Sequence, residues 1–174
     1  ELWKTPISRP RGSNQIDRLI DIDADPLIAG NRLFVAAYQD KVYAISLTAQ
    51  KVEWKMPRST LRNLAVSDNE LLITLDDGVV VALDQKTGIE VWKQDRLKGR
   101  GVTNPIAIPG SKYCVAGDYQ GYVHVMDVNT GQLKGRAQLW QRQSVRISKD
   151  FIHCQNKVRL QPGCLTRVAE ENNF

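Results

Sequence analysis

The chain has 174 residues, of which 42% are hydrophobic and 25% charged, and its formal net charge is +5. Its apolar runs have the length of strands, and no signal peptide, lipobox cysteine or membrane-spanning helix is visible. The basic excess lies mainly in residues 141–174, and no basic stripe interleaved with aromatic residues is present, so no nucleic-acid binding is expected.

The first residues resemble the end of a structural repeat. Glu1-Leu2-Trp3-Lys4 matches Val52–Lys55 and Glu90–Lys93, and each segment carries its tryptophan at the same place. We therefore expect residues 1–5 to be the last strand of a unit whose beginning is absent. Residues 6–24 are then expected to form a connecting loop.

Three units with the same pattern follow, at about residues 25–55, 62–93 and 103–136. In each unit, short runs rich in β-branched residues are separated by turn residues, which predicts four strands per unit. Asp76-Asp77-Gly78 is typical of a tight hairpin turn, because glycine adopts positive φ without steric cost. No segment has a helical stripe, so the sequence predicts an all-β fold, a β-propeller built from four-stranded antiparallel blades.

A turn motif, Ala-x-Asp-x-x-Thr-Gly-x-x-x-Trp, spans Ala82–Trp92 and recurs in weaker form in both neighbouring units. The aspartate is expected to accept backbone hydrogen bonds within the turn, and the glycine to supply a left-handed residue. The tryptophan is interpreted as a large apolar cover between neighbouring sheets and not as a ligand-stacking surface. The residues assigned to this structural repeat are Trp54, Trp92, Asp84, Thr87, Gly88, Asp127, Thr130 and Gly131.

The repeat pattern is lost near the end of the chain. Residues 1–140 are assigned to a partial propeller, and residues 141–174 to a degenerate or irregular tail. Divergence, a change of reading frame or an artefact of the source would each produce such a tail. Cys154 and Cys164 within it could pair in an oxidising compartment, whereas Cys114 is expected to be a buried thiol in a strand.

The motifs predict neither a metal site nor a cofactor site. Asp21–Asp25 begins like a calcium loop, but Pro26 stands where glycine is needed and Arg32 where a bidentate glutamate should be. His124 and His153 have no second ligand at a zinc spacing, so each is expected to be hydrogen-bonded or exposed. No catalytic residue is assigned.

Two stretches resemble known families. The turn motif resembles the blade motif of the PQQ-repeat propellers over residues 25 to about 136. Residues 12–26 read Gly-Ser-x-x-Ile-Asp-Arg-Leu-x-Asp-x-Asp-x-x-Pro, which is similar to the signature of the BamB family of outer-membrane β-barrel assembly lipoproteins. Gly121-Tyr122-Val123-His124 also resembles a later blade of that family. The resemblance implies a propeller of eight blades, of which this chain would hold a partial arc of three to four.

The resemblance also implies a function. It implies a non-catalytic docking scaffold, lipid-anchored on the periplasmic side of the outer membrane of a Gram-negative bacterium. Its main partner would be the periplasmic domains of a BamA-like barrel insertase, with other assembly subunits and unfolded outer-membrane proteins as further partners. The partner-binding residues carried over are Asp21, Asp23 and Arg18. A Leu- and Arg-bearing loop that completes this region in the family has no counterpart here.

Two other functions stay open on the sequence. A PQQ-dependent quinoprotein dehydrogenase uses the same blade motif. A resemblance to that family would imply adjacent cysteines and a calcium-bound catalytic aspartate in a longer chain, but this sequence has no adjacent cysteines. The chain could also be a generic propeller interaction module, in which case the match at residues 12–26 would be accidental.

An open arc also exposes strand edges and bare sheet, so self-association is expected. Arg9–Gly12 and Lys98–Gly101 are interpreted as solvated loops, with contact to an anionic partner as the alternative.

Overall fold

A computed structural model of the chain describes residues 22, 24–37, 40–58 and 60–138. The expected strand at residues 1–5, most of the expected loop at 6–24 and the expected tail at 141–174 lie outside these residues. The described part contains no helix that is long and apolar enough to cross a membrane. Its strands are β1 (Leu27–Ala29), β2 (Arg32–Ala36), β3 (Val42–Ser46), β4 (Lys51–Met56), β5 (Ala65–Ser67), β6 (Glu70–Thr74), β7 (Val80–Asp84), β8 (Glu90–Gln94), β9 (Ile106–Ala107), β10 (Tyr113–Gly117), β11 (Tyr122–Asp127) and β12 (Leu133–Gln138).

These strands form three four-stranded sheets, each an antiparallel meander of consecutive strands: β1–β4, β5–β8 and β9–β12. The prediction of four-stranded antiparallel units is confirmed. The pairing of the third and fourth strands is irregular at the same place in every sheet, at Ala44/Ile45, Ala82/Leu83 and Val125/Met126. Because a bulge increases local twist, a repeated bulge gives the outer strand of each sheet the same bend.

The core lies between the sheets. In β6, Leu71 and Ile73 belong to the cluster shared with the first sheet, whereas Leu72 belongs to the cluster shared with the third sheet. The strand β7 divides in the same way, with Val81 and Val80 on opposite sides. The middle sheet is therefore covered on both faces, and its inner strands β6 and β7 are nearly continuous apolar runs for that reason.

The meander defines two edges of the described blades. The turns β2–β3, β6–β7 and β10–β11 lie at the same edge as the segments that join one sheet to the next, because consecutive strands alternate in direction. We call this edge the connection face; its described segments are residues 24–26, 37, 40–41, 57–58, 60–64, 75–79, 95–105 and 117–122. The opposite edge carries the turns at residues 47–50, 85–89 and 128–132, and we call it the Thr-Gly face.

Candidate protein-interaction face

On the Thr-Gly face, the turn after β7 is organised by Asp84. Its Oδ1 accepts hydrogen bonds from the backbone N–H of Lys86 at 3.0 Å, the backbone N–H of Thr87 at 2.8 Å and the Thr87 hydroxyl at 2.8 Å. These bonds, led by the Thr87 hydroxyl, hold the pKa of the Asp84 carboxyl below its ordinary value. Gly88 then adopts φ +71° and donates its N–H to the Asp84 carbonyl at 2.9 Å.

The corresponding turn after β11 repeats this arrangement. Asp127 Oδ1 accepts the Asn129 N–H at 3.0 Å, and the Asp127 carbonyl accepts the Gly131 N–H at 2.8 Å. The Gln132 N–H lies 3.4 Å from the Thr130 hydroxyl. In the first sheet, which lacks the Asp-x-x-Thr-Gly sequence, Gln50 takes the left-handed position with φ 55°. The turn geometry is thus kept in all three described blades, although only two of them carry the motif.

Each tryptophan of the motif contacts the Thr-Gly turn of the next blade. Trp54 Nε1 donates to the Gln85 carbonyl at 3.0 Å, and a Cβ on Gly88 would lie 2.5 Å from the Trp54 ring. Trp92 repeats this one blade later, since its Nε1 donates to the Val128 carbonyl and its ring leaves no room for a Cβ on Gly131. At each of these two contacts between blades, the indole is therefore fixed by one hydrogen bond and one glycine contact. The role of the tryptophan is structural.

Across the connection face, hydrogen bonds link neighbouring segments into a continuous belt. Asp25 and Asn63 form a reciprocal pair, with the Asp25 N–H donating to Asn63 Oδ1 at 2.9 Å and Asn63 Nδ2 donating to Asp25 Oδ2 at 2.7 Å. The Leu61 N–H donates to Asp76 Oδ1 at 3.2 Å, and the Gly99 N–H donates to the Asp77 carbonyl at 2.8 Å. The turn at residues 75–79 is therefore held from both sides, and the segment at residues 24–26 is tied to this belt.

The belt ends at a buried carboxylate on the third blade. The Asp118 side chain has 0% exposure, and its Oδ2 accepts from Arg100 Nε at 2.8 Å and Arg100 Nη2 at 2.6 Å. His124 Nε2 lies 2.9 Å from the same oxygen. Asp118 Oδ1 accepts the backbone N–H groups of Gln120 at 2.9 Å and Tyr122 at 3.0 Å. This one side chain joins the segment between the second and third sheets to the β10–β11 hairpin.

Electrostatics explain why a buried charge is stable there. Burial alone would raise the pKa of the Asp118 carboxyl, but the hydrogen bonds from His124, the Tyr122 backbone and Arg100 outweigh it, so this pKa lies below its ordinary value. An ionised carboxylate only accepts, so His124 Nε2 carries a hydrogen in this contact. Within the described residues, every fully buried side-chain N or O atom has a partner.

One sequence interpretation changes here, and the expectation for His124 is met. The interpretation of Lys98–Gly101 as a solvated loop is wrong for Arg100, because its guanidinium is bound to Asp118 and to Gln120 Oε1 at 2.6 Å. His124 is hydrogen-bonded and buried. Sequence reasoning missed Asp118, and the available signal was an aspartate and a histidine on the two arms of one predicted hairpin.

The residues assigned to partner binding from the sequence, Asp21, Asp23 and Arg18, lie outside the described residues. Their neighbour Ile22 is described, with 46% of its surface exposed. Asp25, at the end of the same signature, is held by Asn63 on the connection face. The described end of the signature therefore lies on this face and leads directly into β1.

Metal chemistry has no candidate residues in the described part of the chain, where no group of three His, Cys, Asp or Glu side chains could hold an ion. Cys114 lies buried in β10, and burial raises the pKa of its thiol to about 12. Such a thiol stays protonated at neutral pH and is a poor nucleophile. Cys154, Cys164 and His153 fall outside the described residues.

Relatives and solved structures resemble this chain over most of its length. "Outer membrane protein assembly factor BamB" of Legionella pneumophila (strain Paris) is 38% identical over 138 residues, which are 79% of this chain and 35% of the relative. The protein of the same name from Kangiella koreensis is 36% identical over an equal share. The chain thus spans 35% of the length of these curated relatives.

The crystal structure of BamB from Moraxella catarrhalis superposes with a TM-score of 0.73 at 30% identity, over 79% of this chain and 41% of that one. The predicted β-propeller is thereby confirmed. A quinohemoprotein alcohol dehydrogenase from Comamonas testosteroni superposes with a TM-score of 0.55 at 22% identity, over 67% of this chain and 21% of that one, which shows a shared fold alone.

A family model described as "Outer membrane protein assembly factor BamB" matches residues 1–94 and 58–153. These two overlapping matches cover the described blades and the segment before them. Together with the identity to the Legionella and Kangiella relatives, they settle the assignment. The chain therefore belongs to the family of the outer membrane protein assembly factor BamB.

Proposed function

We propose that this chain is part of a non-catalytic scaffold of the outer-membrane protein assembly machinery, acting on the periplasmic side of the outer membrane. The observation that carries the proposal is family membership, since the relatives are named outer membrane protein assembly factors. The lipid anchor that would hold the whole protein at the membrane is part of the same proposal.

The main partner in this proposal is the set of soluble periplasmic domains of the cognate BamA-like barrel insertase. Asp21 and Asp23, with Arg18 beside them, are proposed to contact it. The support is positional: Asp25 of the same segment is fixed on the connection face, where the hydrogen-bonded belt provides a rigid base. A rigid base lowers the entropy that binding must spend on ordering loops. Other assembly subunits and unfolded outer-membrane proteins are proposed as additional partners.

The test measures the affinity of the chain for the purified periplasmic domains of the insertase. The variant Asp21→Ala/Asp23→Ala is expected to bind about tenfold more weakly or worse, the loss typical of removing central interface charges. The matched control Glu53→Ala/Glu90→Ala also removes two carboxylates, but from the outer strands β4 and β8. Unchanged affinity in the first variant, or equal loss in both, would contradict the proposed binding site.

A quinoprotein dehydrogenase is the alternative to exclude by experiment, because the fold is shared. Titration of the chain with PQQ and Ca²⁺ is expected to leave the absorption spectrum of PQQ unshifted and to produce no dye-reducing activity with alcohols. A shifted, bound chromophore with such activity would overturn the scaffold proposal.

A further inference from the structure

We propose that the connection face carries a second binding surface, on the segments that follow Asp25 and Asn63 along this face, which accepts an acidic segment of the same partner protein. This inference rests on the proposed function and adds a site to it. The surface is formed by the segments at residues 60–64 and 95–100 and by the turn at residues 119–120. We call it the basic-apolar patch; its members are Leu61, Arg62, Arg96, Lys98 and Tyr119.

Charge is the first argument for this patch. Arg62 and Arg96 are exposed, and neither forms an ion pair within the described part of the chain. Lys98 has 65% of its side chain exposed and reaches Asp77 only at 3.4 Å. By contrast, Arg100 in the same segment is neutralised by the buried Asp118. The two arginines are therefore available to carboxylates of a partner, with Lys98 in a weak, exposed pair beside them, and arginine recognises carboxylates through two parallel hydrogen bonds.

Exposed apolar side chains are the second argument. Leu61 is 44% exposed and Tyr119 is 64% exposed, and both lie on segments of the connection face. Tyrosine and arginine are enriched where protein surfaces meet, and the exposed leucine next to Arg62 in the chain supplies apolar area.

These side chains are presented on a fixed backbone. The Leu61 N–H is held by Asp76 Oδ1 at 3.2 Å, and the Arg62 N–H by the hydroxyl of the buried Thr60 at 2.9 Å. At the other end, the Tyr119 N–H donates to the Arg100 carbonyl at 3.1 Å. The patch is therefore organised before a partner arrives, so little ordering is needed on binding.

The mixture of charges favours a protein as occupant. Asp76, Asp77 and Asp95 lie on the same face as the patch. They would repel a continuous anionic surface such as a lipid bilayer or a nucleic-acid backbone, whereas a folded protein can match both signs at fixed positions. Acidic and basic side chains on one face thus fit a partner surface that carries both signs of charge at fixed positions.

The test compares binding of the full chain and its variants to the purified periplasmic domains of the cognate barrel insertase. The variant Arg62→Glu/Arg96→Glu is expected to bind about tenfold more weakly, and Arg62→Gln/Arg96→Gln several-fold more weakly with a reduced dependence on salt. The control Lys51→Glu/Lys112→Glu makes the same change in net charge at the opposite edge, and it is expected to bind within about twofold of wild type.

The outcomes separate this inference from the proposed function. If Asp21→Ala/Asp23→Ala weakens binding to the insertase domains and neither Arg62/Arg96 variant does, the proposed binding role of the patch is contradicted. The proposed scaffold function is then still supported. Equal weakening by the control variant would also contradict the patch. If the wild-type chain does not bind these domains, the proposed function and the patch both fail. Binding to phosphatidylglycerol vesicles that depends on Arg62 and Arg96, with unchanged binding to the insertase domains, would assign the patch to the membrane instead.

Discussion

Gly88 and Gly131 each combine a left-handed backbone with the ring of a tryptophan from the preceding blade. Their φ angles are +71° and +69°, and in both cases the ring occupies the space of a Cβ. Substitution there has two costs, the strain of a left-handed L-residue and the displacement of a packed indole. Gly30 has a similar φ, +56°, with nothing near its Cβ position.

We expect Gly88→Ala to lower the free energy of unfolding by about 2–4 kcal/mol, the sum of backbone strain and overpacking. Gly30→Ala is the matched control, because it carries the strain without the clash, and it should cost only about 1–2 kcal/mol. Urea denaturation of the two variants measures the difference. Equal losses would mean that the indole of Trp54 does not fix the junction.

Asp118 gives a prediction that depends on pH. Its pKa is lower in the folded chain than the ordinary value of 3.8, so its carboxylate stabilises the fold above that value, and this contribution is lost as the pH falls through the folded pKa. Asp118→Asn should therefore lower the free energy of unfolding by about 3 kcal/mol at pH 7, because Arg100 and His124 lose their charged partner. The deficit relative to wild type should shrink when denaturation is repeated below pH 3.8.

The control for this experiment is Asp77→Asn. Asp77 pairs with Lys98 at 3.4 Å, and both side chains are largely exposed. Such a pair contributes little, so the control should stay within about 1 kcal/mol of wild type at both pH values. An Asp118→Asn deficit that is constant with pH would show that its charge is not what stabilises the hairpin.

At the scale of the strands, the fourth strands of the first two described blades each deliver a tryptophan to the next blade. Trp92 is 8% exposed, whereas Val91 beside it on β8 is 50% exposed. We expect Trp92→Ala to cost about 3–5 kcal/mol, and Val91→Ala less than about 1 kcal/mol. Comparable losses in thermal or urea unfolding would contradict the assignment of Trp92 to the junction between blades.

The sequence predicts the elements whose signals are local. The glycine turns and alternating apolar runs are sufficient to identify the four-stranded units. The Asp-x-x-Thr-Gly motif specifies its turn because the bonds that Asp84 makes to Lys86, Thr87 and Gly88 join residues at most four apart. The first sheet forms the equivalent turn through Gln50 without the motif. The bulge within the pairing of each fourth strand has no sequence motif that predicts it. It depends on how the outer strand bends over its neighbour.

The candidate interaction face is harder to predict, because its bonds join residues far apart in sequence. The pairs Asp25–Asn63 and Arg100–Asp118 are 38 and 18 residues apart. Polar residues in loops are ordinarily solvated, and only the arrangement of the blades brings these ones together. For that reason the sequence motif can only predict Asp21 and Asp23 as binding residues, whereas the hydrogen bonds between Asn63 and Asp25 are seen in the structure.

Asn63 can be tested as that support. We expect Asn63→Ala to weaken binding to the insertase domains several-fold, because the segment at residues 24–26 loses its two hydrogen bonds, while the urea midpoint changes little. Asn69→Ala, an exposed change in a turn of the opposite edge, should leave affinity unchanged. If Asn63→Ala binds like wild type, the pair with Asp25 has no part in binding.

For the whole molecule, the two edges of the blades have different tasks in this account. The Thr-Gly face closes each blade and receives the tryptophan of its neighbour. The connection face holds the described end of the signature, the basic-apolar patch and the belt that joins them. The belt and the buried Asp118 keep the connection face rigid, so that its loops can carry binding residues in fixed positions.

Hydrogen exchange on the chain with and without the insertase domains tests this division most directly. Binding is expected to slow exchange at residues 12–26, 57–64 and 95–101, and to leave the turns at residues 47–50, 85–89 and 128–132 unchanged. Protection confined to those three turns, or none on the connection face despite binding, would contradict the account.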